Sequence, residues 1–149
     1  MMAAMRAITP PVSCRVAAVD GRFYTGKFSI ACGAREPSLD ESAYSLLAPS
    51  VARNAARIVR SMQLRKPLLL EGSPGVGKTS LIDAIARASG HRLVRINNHE
   101  HTDVQEYIGS FQPDAFGRLR FQDGALAQAV RFGYWIVLDE LNLAPSEVR

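Results

Sequence analysis

Residues 68 to 80 read Leu68-Leu69-Leu70-Glu71-Gly72-Ser73-Pro74-Gly75-Val76-Gly77-Lys78-Thr79-Ser80. The apolar run Leu68–Leu70 predicts a buried strand, and the segment from Lys78 to Ala88 has the pattern of an amphipathic helix. Between them, the turn fits the pattern G-x-x-x-x-G-K-[ST], which is typical of a phosphate-binding P-loop. The strand, the loop and the helix that this motif requires are all predicted around it.

The residue types in this turn suit a polyphosphate. Its glycines let the backbone adopt conformations that a Cβ would forbid, so successive N–H groups can point at one anion. The helix N-terminus adds its dipole and its unpaired N–H groups. We expect Lys78 to reach the β- and γ-phosphates of ATP and the Thr79 hydroxyl to bind Mg²⁺. The predicted nucleotide contacts are Gly72, Ser73, Pro74, Gly75, Val76, Gly77, Lys78, Thr79 and Ser80.

A second apolar run, Tyr134-Trp135-Ile136-Val137-Leu138, ends in Asp139-Glu140, which is a Walker B pattern. Ligands of parallel α/β sheets bind at the carboxyl ends of strands, so we expect this motif and the P-loop to face one crevice. Asp139 is expected to hold Mg²⁺, and Glu140 to orient and deprotonate the attacking water. Lys78 and Glu140 are therefore the catalytic candidates. The alternative interpretation is a strand that ends in a solvated acidic loop.

The composition is that of a soluble protein able to bury a core. The chain has 149 residues, of which 47% are hydrophobic and 21% are charged, so it is one domain or part of one. Its net charge of +4 suits a polyanionic ligand without demanding nucleic acid. Two cysteines, Cys14 and Cys32, are too few for a disulfide framework. We expect no membrane partner, because no apolar run is long enough to span a bilayer.

A helix is predicted after Pro49, with Ser50 as its N-cap and an apolar face from Val51 to Met62. Its other face carries the most basic patch of the chain, and Arg65 and Lys66 follow closely. This patch could contact nucleic acid. A solvated face or a subunit contact is favoured, because no interleaved aromatic residues offer a stacking platform. Direct nucleic-acid binding is accordingly not expected.

Two histidines and two carboxylates lie in Asn97-Asn98-His99-Glu100-His101-Thr102-Asp103. A zinc site is not favoured, because no further histidine or cysteine follows to complete it. We predict a hydrogen-bonded loop near the nucleotide or a pore, capped by Thr102 or Asp103 before a short helix. Residues 109–124 are predicted to form a hairpin, residues 126–133 a helix, and a further helix is expected to begin at Pro145.

The segments 68–80 and 135–148 resemble those of AAA+ ATPases. Residues 95–109 and the run Asp139-Glu140-Leu141-Asn142-Leu143-Ala144-Pro145 are similar to the repeated midasin-like modules of the dynein-related AAA+ clade. The resemblance extends over about residues 28 to 148. It implies an α/β fold, namely a partial P-loop NTPase of the AAA+ ASCE type, a three-layer sandwich with a parallel sheet. It also implies ATP and Mg²⁺ as cofactors, a ring with other AAA+ modules, pre-ribosomal particles as partners, and a nuclear or nucleolar location.

The expected domain organisation follows from the extent of this resemblance. Residues 1–27 are expected to be a disordered extension, and residues 28–149 the N-terminal portion of one AAA+ ATPase domain. The family's sensor-1 strand, which lies between the P-loop strand and the Walker B strand, is not in this sequence. We therefore expect a module truncated after Walker B that folds marginally and hydrolyses ATP poorly alone. The alternatives are a MoxR-like or dynein-like ATPase fragment and a non-catalytic nucleotide-binding protein.

Overall fold

The structure, a computed structural model, describes residues 16–38 and 44–148. The chain divides into two compact units, Met1–Gly90 and His91–Arg149. The first unit contains an antiparallel sheet and two helices, and the second contains a parallel strand pair, an antiparallel hairpin and two helices. The predicted α/β class with a parallel sheet is confirmed by the second unit.

The first unit begins with a three-stranded antiparallel meander. Strand β1 is Val16–Val19, β2 is Arg22–Thr25 and β3 is Phe28–Ala31, in the order β1-β2-β3. Asp20 and Gly21, which join β1 to β2, both have positive φ, at 50° and 69°. Two consecutive residues with positive φ form the type I′ turn, whose twist matches that of the flanking strands.

The meander corrects the expectation that residues 1–27 lack structure. Residues 16–27 form β1 and β2, while the expectation for residues 1–15 lies outside the described residues. The signal that was missed is the dipeptide Asp20-Gly21, since Asp-Gly between two strand-forming runs is among the strongest local hairpin signals. That the AAA+ domain begins at residue 28 stays a prediction.

Helix α1, Pro49–Met62, packs its apolar face against β2 and β3. Phe23 of β2 is fully buried, as are Ala55 and Val59 of the helix. The Gln63 side-chain amide, just past the helix end, donates to the carbonyl of Ser29 at 3.0 Å. The predicted N-cap Ser50 is wrong: the N-cap is Ala48, and Pro49 takes the first helical position, where its missing N–H costs nothing.

Helix α2, Lys78–Ala88, has the predicted bounds. Six of its residues are buried: Leu81, Ile82, Ala84, Ile85, Ala86 and Ala88. Its carboxyl end is covered by the loop after β3, since the N–H groups of Gly33 and Arg35 donate to the carbonyls of Ser89 and Gly90 at 2.7 and 3.0 Å. The loop therefore satisfies carbonyls that the helix end leaves without intrahelical partners.

The strand predicted over Leu68–Leu70 is wrong: these residues are irregular, and 80% of Leu69 is exposed. A strand is held by ladder hydrogen bonds to a neighbour. Among the described residues Leu68–Leu70 has no such neighbour, as the three sheets are formed by other segments. Apolar character was thus enough to suggest a strand here but not to form one.

In the second unit, β4, Leu93–Asn97, pairs in parallel with β7, Trp135–Asp139. The register places Leu93 opposite Trp135 and Asn97 opposite Asp139. Trp135 also stacks on His91, with ring centroids 4.5 Å apart. The strand predicted before Asp139-Glu140 is confirmed, and both strands end where polar residues begin.

Between these strands lie helix α3, Val104–Ile108, the hairpin strands β5, Gly109–Pro113, and β6, Leu119–Asp123, and helix α4, Ala125–Phe132. The predicted hairpin and the predicted α4 are confirmed. Helix α4 packs against both β4 and β7. The helix expected at Pro145 stays a prediction: a 3-10 turn at Leu141–Leu143 is followed, within the described residues, by a single turn closed by Val148 N–H to Pro145 O at 3.0 Å. A single turn fixes several dihedrals for one hydrogen bond and so does not by itself establish a helix.

No helix in the described part of the chain combines the length and the apolar character that a membrane crossing would need.

The tip of the hairpin depends on Asp114. One carboxylate oxygen accepts from the Phe116 and Arg118 N–H groups at 2.9 and 3.0 Å, and the other faces the Arg118 and Arg120 guanidinium groups at 3.3 and 3.2 Å. The backbone hydrogen bond from Arg118, foremost, lowers the pKa of Asp114 below its ordinary 3.8. Because this pKa is lowered in the folded chain, the charged carboxylate contributes to the stability of the fold above about pH 4. This contribution is lost as the pH falls through the folded-state pKa.

We expect Asp114→Ala to abolish hydrogen-exchange protection at the Phe116 and Arg118 amides, because the carboxylate is their acceptor. Asp114→Asn should retain most of that protection, since its amide oxygen can accept the same two bonds, but should lose the dependence on pH. Hydrogen exchange followed by mass spectrometry of the 109–124 peptides measures both. Equal loss in the two variants would contradict the assignment to the carboxylate's hydrogen bonds.

Candidate functional site

The P-loop of the first unit is shaped by its glycines. Gly75 and Gly77 have φ of 76° and 83°, in the left-handed region that residues with a Cβ avoid. Gly77 is also the N-cap of α2, so the backbone turns directly into the helix. A Cβ added at Gly75 would meet no atom within 4 Å, which shows that this side of the loop is open.

Lys78 folds back over the loop. Its Nζ atom donates to the carbonyl oxygens of Gly72 and Ser73, at 2.8 and 3.0 Å. The ammonium group is thus held by the loop at the N-terminus of α2, whose first turn contains no acidic residue. A fixed cation, an open glycine loop and a helix N-terminus are together the features that a phosphate group requires.

The remaining predicted contacts of the loop lie in the same turn. Thr79 is half-buried, and Ser73, Pro74, Val76 and Ser80 are exposed. Tyr44, which sequence reasoning did not assign to the site, also borders the loop: a Cβ added at Gly77 would lie 3.6 Å from its hydroxyl oxygen. No local pattern in the sequence connects Tyr44 with a loop that lies 33 residues later.

In the second unit, the backbone of Asp139 is clamped by Asn98. The Asn98 N–H and its side-chain amide both donate to the Asp139 carbonyl, at 3.0 and 2.8 Å. Asn98 is only 2% exposed, and its amide oxygen accepts from the hydroxyl of the buried Tyr107. Because the amide nitrogen and the amide oxygen of the buried Asn98 side chain both have partners, the network fixes the backbone at the end of β7.

The Asp139 carboxylate forms a salt bridge with the Nε atom of Arg95 on the neighbouring strand. The next residue, Glu140, is exposed and has φ 52° and ψ 40°, a left-handed conformation. This conformation costs a residue with a Cβ about 1–2 kcal/mol, and such outliers cluster at functional sites. The carbonyl of Glu140 accepts from the Leu143 N–H at 2.8 Å, so the 3-10 turn holds the conformation.

The loop from Asn97 to Asp103 is hydrogen-bonded, as predicted. Thr102 is buried, with its hydroxyl accepting from the His99 N–H at 2.8 Å, and Asp103 forms a capping box with Glu106 at the start of α3. His99 and His101 lie on the surface with ring centroids 6.4 Å apart. In residues 16–38 and 44–148, no three His, Cys, Asp or Glu side chains are grouped to hold a metal ion.

Known proteins share this arrangement of motifs. A family model described as "AAA domain (dynein-related subfamily)" matches residues 67–149. The chain is 51% identical over 123 residues to midasin of Dictyostelium discoideum and 46% identical over 114 residues to midasin of Giardia intestinalis, covering 82% and 76% of this chain. It spans about 2% of the length of each of these relatives.

The chain is also similar, at lower identity, to a protein that is much shorter than the two midasins. It is 34% identical over 77 residues to protein CbbQ of Hydrogenophilus thermoluteolus, which covers 52% of this chain and 28% of that protein. Together with the parallel β4–β7 pair, the family match confirms the predicted partial P-loop NTPase fold.

We expect Tyr107→Phe to destabilise the second unit by about 1–3 kcal/mol, because it leaves the buried Asn98 amide oxygen without its donor. Urea unfolding followed by the fluorescence of Trp135, the single tryptophan of the chain, measures the change within this unit. The matched control is Tyr134→Phe, a half-buried tyrosine of the same unit, which should cost no more than about 0.5 kcal/mol. Equal costs for the two variants would contradict a structural role for the Tyr107 hydroxyl.

Proposed function

Because the chain belongs to the dynein-related subfamily of AAA domains, we propose that it binds ATP with Mg²⁺ through its P-loop, and that the module of which it is part hydrolyses ATP. One observation carries the proposal: the Lys78 ammonium is held across an open, glycine-turned loop at the N-terminus of α2. This geometry provides a cation and backbone N–H groups for a phosphate chain.

In this proposal the phosphates replace the loop carbonyls as partners of Lys78. Hydrogen bonds from an ammonium group to charged phosphate oxygens are stronger than those to neutral carbonyls, so the exchange is favourable. The N–H groups of Gly75, Gly77 and the first turn of α2 supply the remaining donors. Tyr44, beside Gly77, would limit the space on one side of the bound nucleotide.

The magnesium ion is assigned to the Thr79 hydroxyl and the Asp139 carboxylate, oxygen donors of the kind that Mg²⁺ prefers. When bound, the ion neutralises charge on the β- and γ-phosphates. Until then, Arg95 balances the charge of Asp139. Glu140 is assigned as the base that orients a water molecule and accepts its proton, and its exposed, left-handed position keeps the carboxylate out of the β4–β7 ladder.

The biological role is proposed from similarity. The resemblance to midasin supports action as one module of an AAA+ ring that remodels large-subunit pre-ribosomes in the nucleus or nucleolus. A MoxR-like or dynein-like ATPase is the alternative within the same clade. A non-catalytic nucleotide-binding protein is the alternative from another class.

We expect Lys78→Ala to weaken Mg-ATP binding at least about tenfold, since it removes the one cation that the loop holds. Glu140→Gln should bind Mg-ATP as the unmodified chain does and release no phosphate, because it keeps the shape of the side chain and removes the base. Isothermal titration calorimetry measures the binding, and a coupled phosphate assay measures turnover.

The matched control is Lys27→Ala, which removes an exposed lysine far from the loop in sequence and should change neither quantity. Equal Mg-ATP affinity of Lys78→Ala and the unmodified chain would overturn the proposal. Tight Mg-ATP binding without phosphate release by the module of which the chain is part would favour the non-catalytic alternative.

A further inference from the structure

Charge is unevenly divided between the two units. The described residues up to Gly90 carry ten basic and four acidic side chains, whereas those from His91 to Val148 carry five basic and eight acidic ones. The excess positive charge of the described chain therefore lies entirely in the first unit. An asymmetry of this kind creates a local field that a balanced surface does not have.

The basic side chains of the two units also differ in their partners. In the second unit, four of the five arginines form salt bridges: Arg95 with Asp139, Arg118 and Arg120 with Asp114, and Arg131 with Asp123. In the described part of the first unit, Arg87 alone of the ten forms one, with Asp83. The first unit thus presents cations whose charge no nearby carboxylate balances.

Five of these cations lie on or directly after α1. Residues 49–66 contain no acidic side chain, and all five basic ones are exposed: Arg53, Arg57, Arg60, Arg65 and Lys66. We call this set the basic helix surface. At 3.6 residues per turn, Arg53, Arg57 and Arg60 fall within about 60° of arc, opposite the buried Ala55 and Val59. These three arginines therefore form a stripe on the exposed side of α1, and Arg65 and Lys66 follow directly after the helix.

The meander contributes to the same stripe. The Arg60 guanidinium lies over the ring of Phe28 on β3, 5.9 Å from its centroid, and the Arg57 guanidinium donates to the Asn54 amide oxygen at 3.4 Å. Contacts of this kind hold arginine side chains in place without neutralising them. They also supply an aromatic neighbour that is distant in sequence.

We propose that the basic helix surface binds the phosphodiester backbone of a nucleic acid. Four of its five cations are arginines, whose planar guanidinium groups match phosphate in a two-bond geometry. Arg53 and Arg60 are about 10 Å apart along the helix axis, which corresponds to about three nucleotide steps of one strand. Since a single partly buried aromatic ring is no stacking platform, the surface binds the backbone without reading sequence.

The test measures binding of fluorescent single-stranded RNA, and of DNA of the same sequence, to the full 149-residue chain by anisotropy, without nucleotide. The unmodified chain should bind both with affinity that falls steeply between about 50 and about 200 mM salt. The combined variant Arg53→Gln, Arg57→Gln and Arg60→Gln should reduce the slope of log K against log salt by about 2 and weaken binding at low salt at least about tenfold.

The matched control removes the same net charge from the second unit: Arg118→Gln, Arg120→Gln and Arg131→Gln together should leave the slope unchanged. Equal losses in the two triple variants would overturn the proposal, because net charge alone would then explain binding. Polyglutamate that competes as well as RNA at equal charge would overturn it in favour of an acidic protein partner.

Two further measurements guard against misfolding of the variants. Circular dichroism and Trp135 fluorescence should match those of the unmodified chain. In the unmodified chain, ultraviolet crosslinks to RNA should map to peptides that contain Phe28 or lie within residues 49–66, and crosslinks confined to other peptides would overturn the proposal. Lys78→Ala should bind RNA as the unmodified chain does, which separates this surface from the proposed ATP site.

Discussion

The parallel pairing of β4 with β7 is the constraint on which the positions of Asp139 and Glu140, at the end of β7, depend. The ladder sets Asn97 opposite Asp139, and Asn98 continues it by donating twice to the Asp139 carbonyl. With that carbonyl fixed, the chain leaves the strand through a left-handed Glu140 into a 3-10 turn. The positions of the two carboxylates thus follow from backbone hydrogen bonds, which tolerate little displacement because unpaired buried groups are costly.

In the first unit, the contacts of one side chain of the P-loop serve two purposes. Its lysine satisfies two loop carbonyls that would otherwise face solvent, so the same contacts stabilise the loop and position the cation. The cation is thus already held at the loop, although the proposed phosphate would have to replace both carbonyls as its partners. The left-handed Glu140 is the contrasting case, in which a local cost is maintained at a residue with a proposed catalytic role.

Elements with strong local signals were predictable from the sequence. The helix at Lys78–Ala88 follows from an apolar period after a glycine turn, and β7 follows from five apolar residues before two acids. Leu68–Leu70 has the same apolar character as β7 but no ladder partner among the described residues, and it remains irregular. Pairing is a property of two segments, so a pattern within one of them does not determine it. The first hairpin of the meander, in contrast, could have been predicted from the sequence, because Asp20-Gly21 is a local turn signal.

The basic helix surface is the feature whose interpretation changes most when the contacts in the structure are considered. Read along the chain, Arg53, Arg57 and Arg60 form a stripe without aromatic neighbours, as many solvated helices do. In the fold, Phe28 lies beneath Arg60. Among the described residues, no carboxylate forms a salt bridge with a cation of the basic helix surface, whereas four of the five arginines of the second unit have such a partner. An unneutralised stripe repels itself, and this repulsion is relieved when a polyanion replaces the counterions that otherwise screen it. Three of these cations lie on α1 and two directly after it, and among the described residues none of the five has a salt-bridge partner. Because like charges held together repel one another, a polyanionic ligand explains this grouping better than the stability of the free chain does.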